Sequence, residues 1–230
     1  MGLVQLQFYN EKSILAEITA GALLEANAAI QGLLAFVHQR AGEHVCDAVP
    51  AYRSLLVECK SPELAMEVWK IAELYARQYS PVQQPAQGKA INIPVCFDPE
   101  LGNDLEVMAA MHHILPDAIV ELFLKVEYQV FMLGFLPGFA YMGEVDERIA
   151  TPRKAKPVPT RSGAVGIAGR QTGIYPFDSP GGWHIVGYTP LKMFDASQQW
   201  PSLLKPGDRV RFERIGAKDY AGYLTQHCPT

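Results

Sequence analysis

Arg148, Arg153, Lys154, Lys156, Arg161 and Arg170 fall within 23 residues that hold no Asp or Glu. Pro152, Pro157 and Pro159 interrupt this run. Proline denies a helix an N–H and clashes with the preceding turn, so an extended loop is expected here. A run of like charges is ordinarily a solvated face. In a chain of formal net charge −4 it is equally a candidate anion site, because guanidinium and ammonium groups donate charge-assisted hydrogen bonds to phosphate or carboxylate. The residue types leave both open. Arg153, Lys154, Arg161 and Arg170 are the candidate anion-binding residues.

Three glycine-rich stretches adjoin the run. Gly134–Tyr141 reads GFLPGFAY, aromatics among turn residues. It suits a barrel corner, the simpler reading, or a pocket wall with backbone N–H groups bared by glycine. Gly163–Pro176 reads GAVGIAGRQTGIYP. It holds no GxxxxGK[ST], nor a GxGxxG leading into a helix, and is read as two small-residue strands about a turn at Gly169–Gln171. Small side chains let a ligand or another chain approach the backbone closely. Gln171 and Thr172 add neutral hydrogen-bonding groups suited to an amide or urea. Ser179–His184 reads SPGGWH. Pro-Gly-Gly signals a turn, Trp183 reads as core, and His184, next along a strand, then faces solvent, the barrel lumen or a partner. Phe135, Phe139, Tyr141, Tyr175, Ser179, Trp183 and His184 are the candidate pocket or interface residues. His112 and His113 close a predicted helix and diverge by about 100° around it, so they suit capping or the surface rather than a shared metal. No Ser-His-Asp order, HExxH or nucleophile elbow is present, so no catalytic residue is assigned and no metal is expected.

The elements that must position these residues fall into two groups, and an α+β fold is expected. Over 1–80, strands at Leu3–Tyr9, Ile14–Ile18, Val45–Val49 and Ser54–Glu58 accompany helices at Leu23–Arg40 and from Ser61-Pro62 to Tyr79. Ser61 suits an N-cap and Pro62 the first helical position. Leu64, Val68, Ile71 and Leu74 should line the second helix's buried face. Residues 81–89, rich in Pro and Gln, read as a linker. Over 90–215, a strand at Ala90–Phe97 and a helix pair at Asp104–His113 and Asp117–Val126 precede a change of texture. Phe131–Pro190 holds 10 of the 19 glycines and 7 of the 17 prolines, and short apolar runs lie between them at Val130–Phe135, Ala164–Ala168, Thr172–Tyr175 and Trp183–Tyr188. Short strands with Gly/Pro corners imply an irregular β-barrel or sandwich. Asp208–Arg214 should close it, and 216–230 should form a loosely held tail.

Composition narrows the function classes. A net charge of −4 disfavours wholesale binding to nucleic acid or anionic lipid. Met1–Asn10 lacks a basic n-region and an apolar h-region, and no apolar run reaches the length of a membrane span. Cys46, Cys59 and Cys96 lie in strand-like runs and are expected as buried thiols; with Cys228 they form no CxxC pair. A cytoplasmic protein, with no nucleic acid or membrane partner, is expected.

Six segments together resemble a known family: Phe131–Met142 (FMLGFLPGFAYM), Thr151–Pro157 (TPRKAKP), Ala164–Pro176 (AVGIAGRQTGIYP), Ser179–Asp195 (SPGGWHIVGYTPLKMFD), Leu203–Phe212 (LLKPGDRVRF) and Val49–Val57 (VPAYRSLLV). They identify the chain as a member of the KipI family, which includes PxpB, a component of 5-oxoprolinase, and has been labelled allophanate hydrolase subunit 1. The resemblance implies a small α+β N-terminal domain followed by a cyclophilin-like β-barrel. It implies a KipA/PxpC-type partner that is itself barrel-built, and a third subunit with which 5-oxoproline is opened to glutamate at the expense of ATP. A relative that inhibits a sensor histidine kinase implies a regulatory alternative, and urea carboxylase a further amide-processing one. The chain departs from the family where Leu122-Phe123-Leu124 replaces Leu-His-Ser/Thr, where Trp183-His184 replaces Trp-Gln, and where Tyr188 replaces an Arg or His. Thr160–Ala164 also stands one residue shorter than the family's segment.

Overall fold

A computed structural model describes residues 4–78 and 88–226. Residues 81–87 of the expected linker and Cys228 lie outside the described residues. The chain divides into two compact units, Met1–Gln87 and Gly88–Thr230.

The first unit is a four-stranded antiparallel sheet, ordered β1-β2-β4-β3, with two helices. The strands are β1 (Val4–Asn10), β2 (Ser13–Ile18), β3 (Val45–Pro50) and β4 (Ser54–Cys59). Helices α1 (Leu23–Ala41) and α2 (Pro62–Gln78) share one hydrophobic cluster with the sheet. Ser61 Oγ accepts the Leu64 N–H at 3.3 Å, and Pro62 opens α2, as Ser-Pro at a helix start dictates. The buried stripe of α2 is Ala65, Val68 and Ala72, while Leu74 is exposed. Val68 and Ile71 of the expected stripe do pack on the cluster, but small alanines let the two helices approach and Leu74 is turned out. The approach is close enough that a Cβ on Gly32 of α1 would stand 2.4 Å from the Tyr75 hydroxyl, which donates to the Ala29 carbonyl at 2.9 Å.

Cys59 is buried but Cys46 is exposed, correcting the expectation for the latter. The reason is local: the β3–β4 register slips between Val45 and Asp47. A bulge residue leaves the alternation of its strand.

The second unit is a closed seven-stranded barrel in the order β10-β7-β6-β13-β5-β12-β9. Its strands are β5 (Ala90–Cys96), β6 (Tyr128–Leu133), β7 (Ala140–Gly143), β9 (Ala164–Ala168), β10 (Gln171–Ile174), β12 (His184–Tyr188) and β13 (Arg209–Ile215). All pairs are antiparallel except β13–β5. A two-stranded ribbon, β8 (Val158–Thr160) with β11 (Ser179–Gly181), stands beside it. The closing strand is anchored by Asp208, whose carboxylate accepts the Lys89 N–H at 2.9 Å and the Lys205 N–H at 2.8 Å. Closure removes the exposed sheet edges that an open sheet would present.

Ile93, Val95, Val130, Met142, Val165, Ile167, Ile174, Val186, Val210 and Phe212 belong to one core cluster. Arg211 and Glu213, which alternate with Val210 and Phe212, are exposed. Large side chains therefore fill the lumen. Helices α3 (Leu105–His112) and α4 (Pro116–Leu124) add Met108, Ile119 and Phe123 to that cluster. Among the described residues no single helix is long and apolar enough to cross a membrane. The stretch 217–226, expected as a loose tail, is a helix, α5 (Ala217–Gln226), whose Tyr220 packs on the aromatic cluster described next.

Candidate functional site

On the sheet β7-β10-β9-β12 the register places Tyr141 opposite Gly173, Gly173 opposite Gly166, and Gly166 opposite Ile185. Cross-strand partners share a face, and that face is opposite to Met142, Ile167 and Ile174 in the lumen. It is the outer surface of the barrel. At its centre Gly166 and Gly173 carry no side chain, and the reason lies in what covers them. A Cβ on Gly173 would meet the Phe139 ring at 2.8 Å, and one on Gly166 would meet Trp183 Cβ at 3.0 Å. Phe139, Tyr141, Tyr175 and Trp183 form the cover. Phe139 meets Tyr175 at 5.2 Å and Trp183 at 5.4 Å, both edge-on, and Tyr141 meets Trp183 at 5.8 Å. Such T-shaped pairs are each favourable by about 0.5–1.5 kcal/mol beyond the area they bury.

Phe139, Tyr175 and Trp183 are buried, while Tyr141 keeps part of its surface exposed. Phe135, 59% exposed and at φ 68°, leans edge-on against Phe139 and Tyr175. Four of the expected pocket aromatics therefore converge, and Phe135 stands at their rim. Tyr175 has a structural duty as well: the Trp183 backbone N–H donates to its hydroxyl, and a Cβ on Gly181 would lie 2.4 Å from that oxygen. Only glycine admits the phenol there. Burial pushes both the Tyr141 and Tyr175 phenols up, with the positive charge of Arg153 acting against it. Both remain protonated.

The basic run is dispersed rather than gathered. Arg148 pairs with Asp146 at 2.7 Å, Lys154 with Asp104 at 2.7 Å, and Arg170 with Glu147 at 2.6 Å and Glu144 at 3.4 Å. Arg161 donates to the Leu101 carbonyl and lies 4.7 Å over the Tyr188 ring. Each is answered by residues outside the run or at its margin, an answer that sequence spacing did not disclose. Arg153 alone of the candidate cations stands against the aromatic cover: its Nε and Nη2 are 3.5 Å from where a Gly182 Cβ would be. Gln171 is half-buried on the outer face, whereas Thr172 is turned into the barrel wall and donates to the Gly166 carbonyl at 2.9 Å. Its hydroxyl is spent on the fold. Ser179 lies apart, with Arg161 and Asp178, in a cleft of about 290 Å³.

His184 opposes Ile167 in register and so faces the lumen side, away from Trp183. It is 7% exposed. Burial holds its pKa below the ordinary imidazole value, Asp104 acts against this, and the Pro152 carbonyl accepts its N–H. Its Nδ1 is buried and, among the described residues, has no hydrogen-bond partner. His112 lies nearby, with Nε2 at 2.8 Å from Thr151 Oγ1. Thr151 gives its own proton to the Ile149 carbonyl, so His112 is the donor in that pair. The two histidines thus brace Thr151 and Pro152 from beneath. Sequence reasoning missed Asp104, which binds Lys154 and the Ile185 N–H; a lone Asp before a helix carried no signal beyond capping. Phe123, which stands where the family has His, stacks on Phe212 at 4.9 Å in the core. At that position this chain packs rather than reacts. Among the described residues no group of three or more His, Cys, Asp or Glu could hold a metal ion.

The chain belongs to the family described as carboxyltransferase domain, subdomain C and D, which its residues 4–204 match. Its curated relatives include 5-oxoprolinase B subunits and, more distantly, urea amidolyases. The B subunit of Escherichia coli O157:H7 is 41% identical over 74% of this chain and 78% of its own length. That of Bacillus subtilis is 46% identical over 59% of this chain and 57% of its own length, so the match spans little more than half of that protein. Among solved structures, TTHA0988 superposes with a TM-score of 0.76 at 32% identity, covering 89% of this chain and 40% of that one.

Proposed function

We propose that this chain is the PxpB-type component of an ATP-dependent 5-oxoprolinase, acting in the opening of the 5-oxoproline lactam to glutamate. The observation that carries the reading is the 41% identity to a curated 5-oxoprolinase relative over three quarters of the chain. The site is consistent with it. A lactam is a flat, weakly electrophilic amide, and an aromatic surface with an exposed tyrosine ring and one guanidinium can bind and orient such a molecule. Phosphorylating the lactam oxygen would supply the missing electrophilicity. ATP is assigned in this reading to the assembled enzyme, because the glycine-rich stretch 163–176 is consumed by β9 and β10 and makes no phosphate loop. The partners are a KipA/PxpC-type barrel subunit and a third 5-oxoprolinase subunit. TTHA0988, in which this fold makes up 40% of a longer chain, supports the idea that the barrel works beside further domains.

The test is to purify this chain with those two subunits and measure ATP hydrolysis with and without 5-oxoproline. The expected result is 5-oxoproline-dependent hydrolysis by the mixture and none by the chain alone. Failure of the chain to join its partners, together with inhibition of a histidine kinase, would transfer the assignment to the regulatory class.

A further inference from the structure

We infer that Arg153 is the specificity residue of the outer-face site, and that what it holds is a carboxylate carried on a small planar cyclic amide lying against Tyr141. The inference rests on the lactam reading for the amide, but its basis for the carboxylate is geometric.

Arg153 is exposed, and among the described residues no carboxylate pairs with it, whereas Lys154 and Arg170 are both held in ion pairs. It is nonetheless held in place through its neighbours. Thr151 bridges to Gly169 and bonds His112, the Pro152 carbonyl accepts from His184, and Lys154 binds Asp104 through its side chain and the Gly182 carbonyl through its N–H at 2.7 Å. The backbone on both sides of Arg153 is tied down, so little backbone entropy remains to be lost when its fork closes on a ligand. The guanidinium lies against Gly182, where no Cβ intervenes, and close enough to the Tyr141 and Tyr175 phenols for its charge to act on both.

Those neighbours decide the class of anion. One guanidinium presents two parallel N–H groups, which match a carboxylate. A phosphate dianion would call for further cations, and Lys154 and Arg170 are already paired with Asp104, Glu144 and Glu147. Tyr141, the cover ring that keeps exposed surface between Phe139 and Trp183, is the platform for the amide plane.

The experiment is calorimetric titration of the purified chain with L-5-oxoproline, with 2-pyrrolidinone, which is the same lactam without its carboxylate, and with inorganic phosphate. The wild-type chain is expected to bind 5-oxoproline at least about tenfold tighter than 2-pyrrolidinone, the worth of one charged hydrogen-bonded pair. R153Q should erase that difference and R153K should keep part of it, with the urea midpoint unchanged because the side chain is exposed. In the three-subunit assembly R153Q should raise KM for 5-oxoproline by a similar factor and leave KM for ATP alone. The inference is overturned if R153Q keeps the preference, if phosphate binds as well as 5-oxoproline, or if the wild-type chain binds neither lactam. If the assembly hydrolyses no ATP with 5-oxoproline while the isolated chain still discriminates through Arg153, the enzyme reading falls and the site stands.

Discussion

Lys154 and Asp104, 50 positions apart in sequence, meet at 2.7 Å, and the carboxylate oxygen that takes the ammonium also accepts the Ile185 N–H at 2.6 Å. The Asp104 N–H in turn donates to the Ile185 carbonyl at 2.6 Å. One residue at the start of α3 therefore ties the basic loop to β12. Both charged side chains are about one-fifth exposed, so the pair sits largely out of water, where losing one member leaves the other poorly solvated.

Asp104→Asn should accordingly cost about 2–4 kcal/mol, read as a lowered urea midpoint with an unchanged slope. Lys154→Met, which removes the charge that Asn would strand and keeps the stem, should restore part of that loss when combined with it. Additive losses in the double variant would mean that the two side chains are not coupled.

Gly163 and Gly169 offer a matched pair. Both have positive φ, +78° and +59°, but a Cβ at 163 would stand 2.3 Å from the Thr189 carbonyl oxygen, while nothing lies within 4 Å at 169. Gly169→Ala should cost only the left-handed backbone penalty, about 1–2 kcal/mol. Gly163→Ala should cost that and a further 1–3 kcal/mol or so for the collision. Thermal unfolding of the two variants checks the order.

The depressed His184 pKa predicts a pH dependence of stability. In the unfolded chain the imidazole takes a proton near its ordinary 6.5, while in the folded chain burial delays it to lower pH. The unfolded state then binds more protons, so this contribution is present above about pH 6.5 and is lost as pH falls through the folded value. Asp104, Lys154 and His112 share the surroundings, so the clean measurement is a difference. Urea midpoints from about pH 8 to pH 5 should fall more steeply for the wild-type chain than for His184→Gln. Parallel slopes would show that His184 is not responsible.

The thiols should separate by reactivity. With Cys228 replaced by Ser, one thiol, Cys46, should react with an aromatic disulfide in the folded protein. Cys59 and Cys96 are buried, and burial pushes the Cys59 thiol up, so they should react only on unfolding. Mass spectrometry of the modified peptides assigns each site.

What the sequence determined is local. Alternation and Gly/Pro corners located β9, β10, β12 and β13 within a residue or two, Ser61-Pro62 marked the start of α2, and the aromatic-glycine strings named the rings that now meet at Phe139. Such signals are legible because they act between near neighbours: a cap, a turn, a side-chain period. They also sufficed for the family, whose motifs are long runs of this kind. Which way those residues face, and what answers them, depends on partners far along the chain. Lys154 and Arg170 were neutralised, and Arg153 was left without a carboxylate among the described residues, only when Asp104, Glu144 and Glu147 were brought to the basic run. Cys46 turned outward because of a register slip, and Thr172 turned inward because cross-strand pairing put it beside Met142 and Ile167. Charge and hydrogen-bond satisfaction are decided by proximity in space, and in a barrel closed by β13 against β5 proximity is set by the tertiary structure alone.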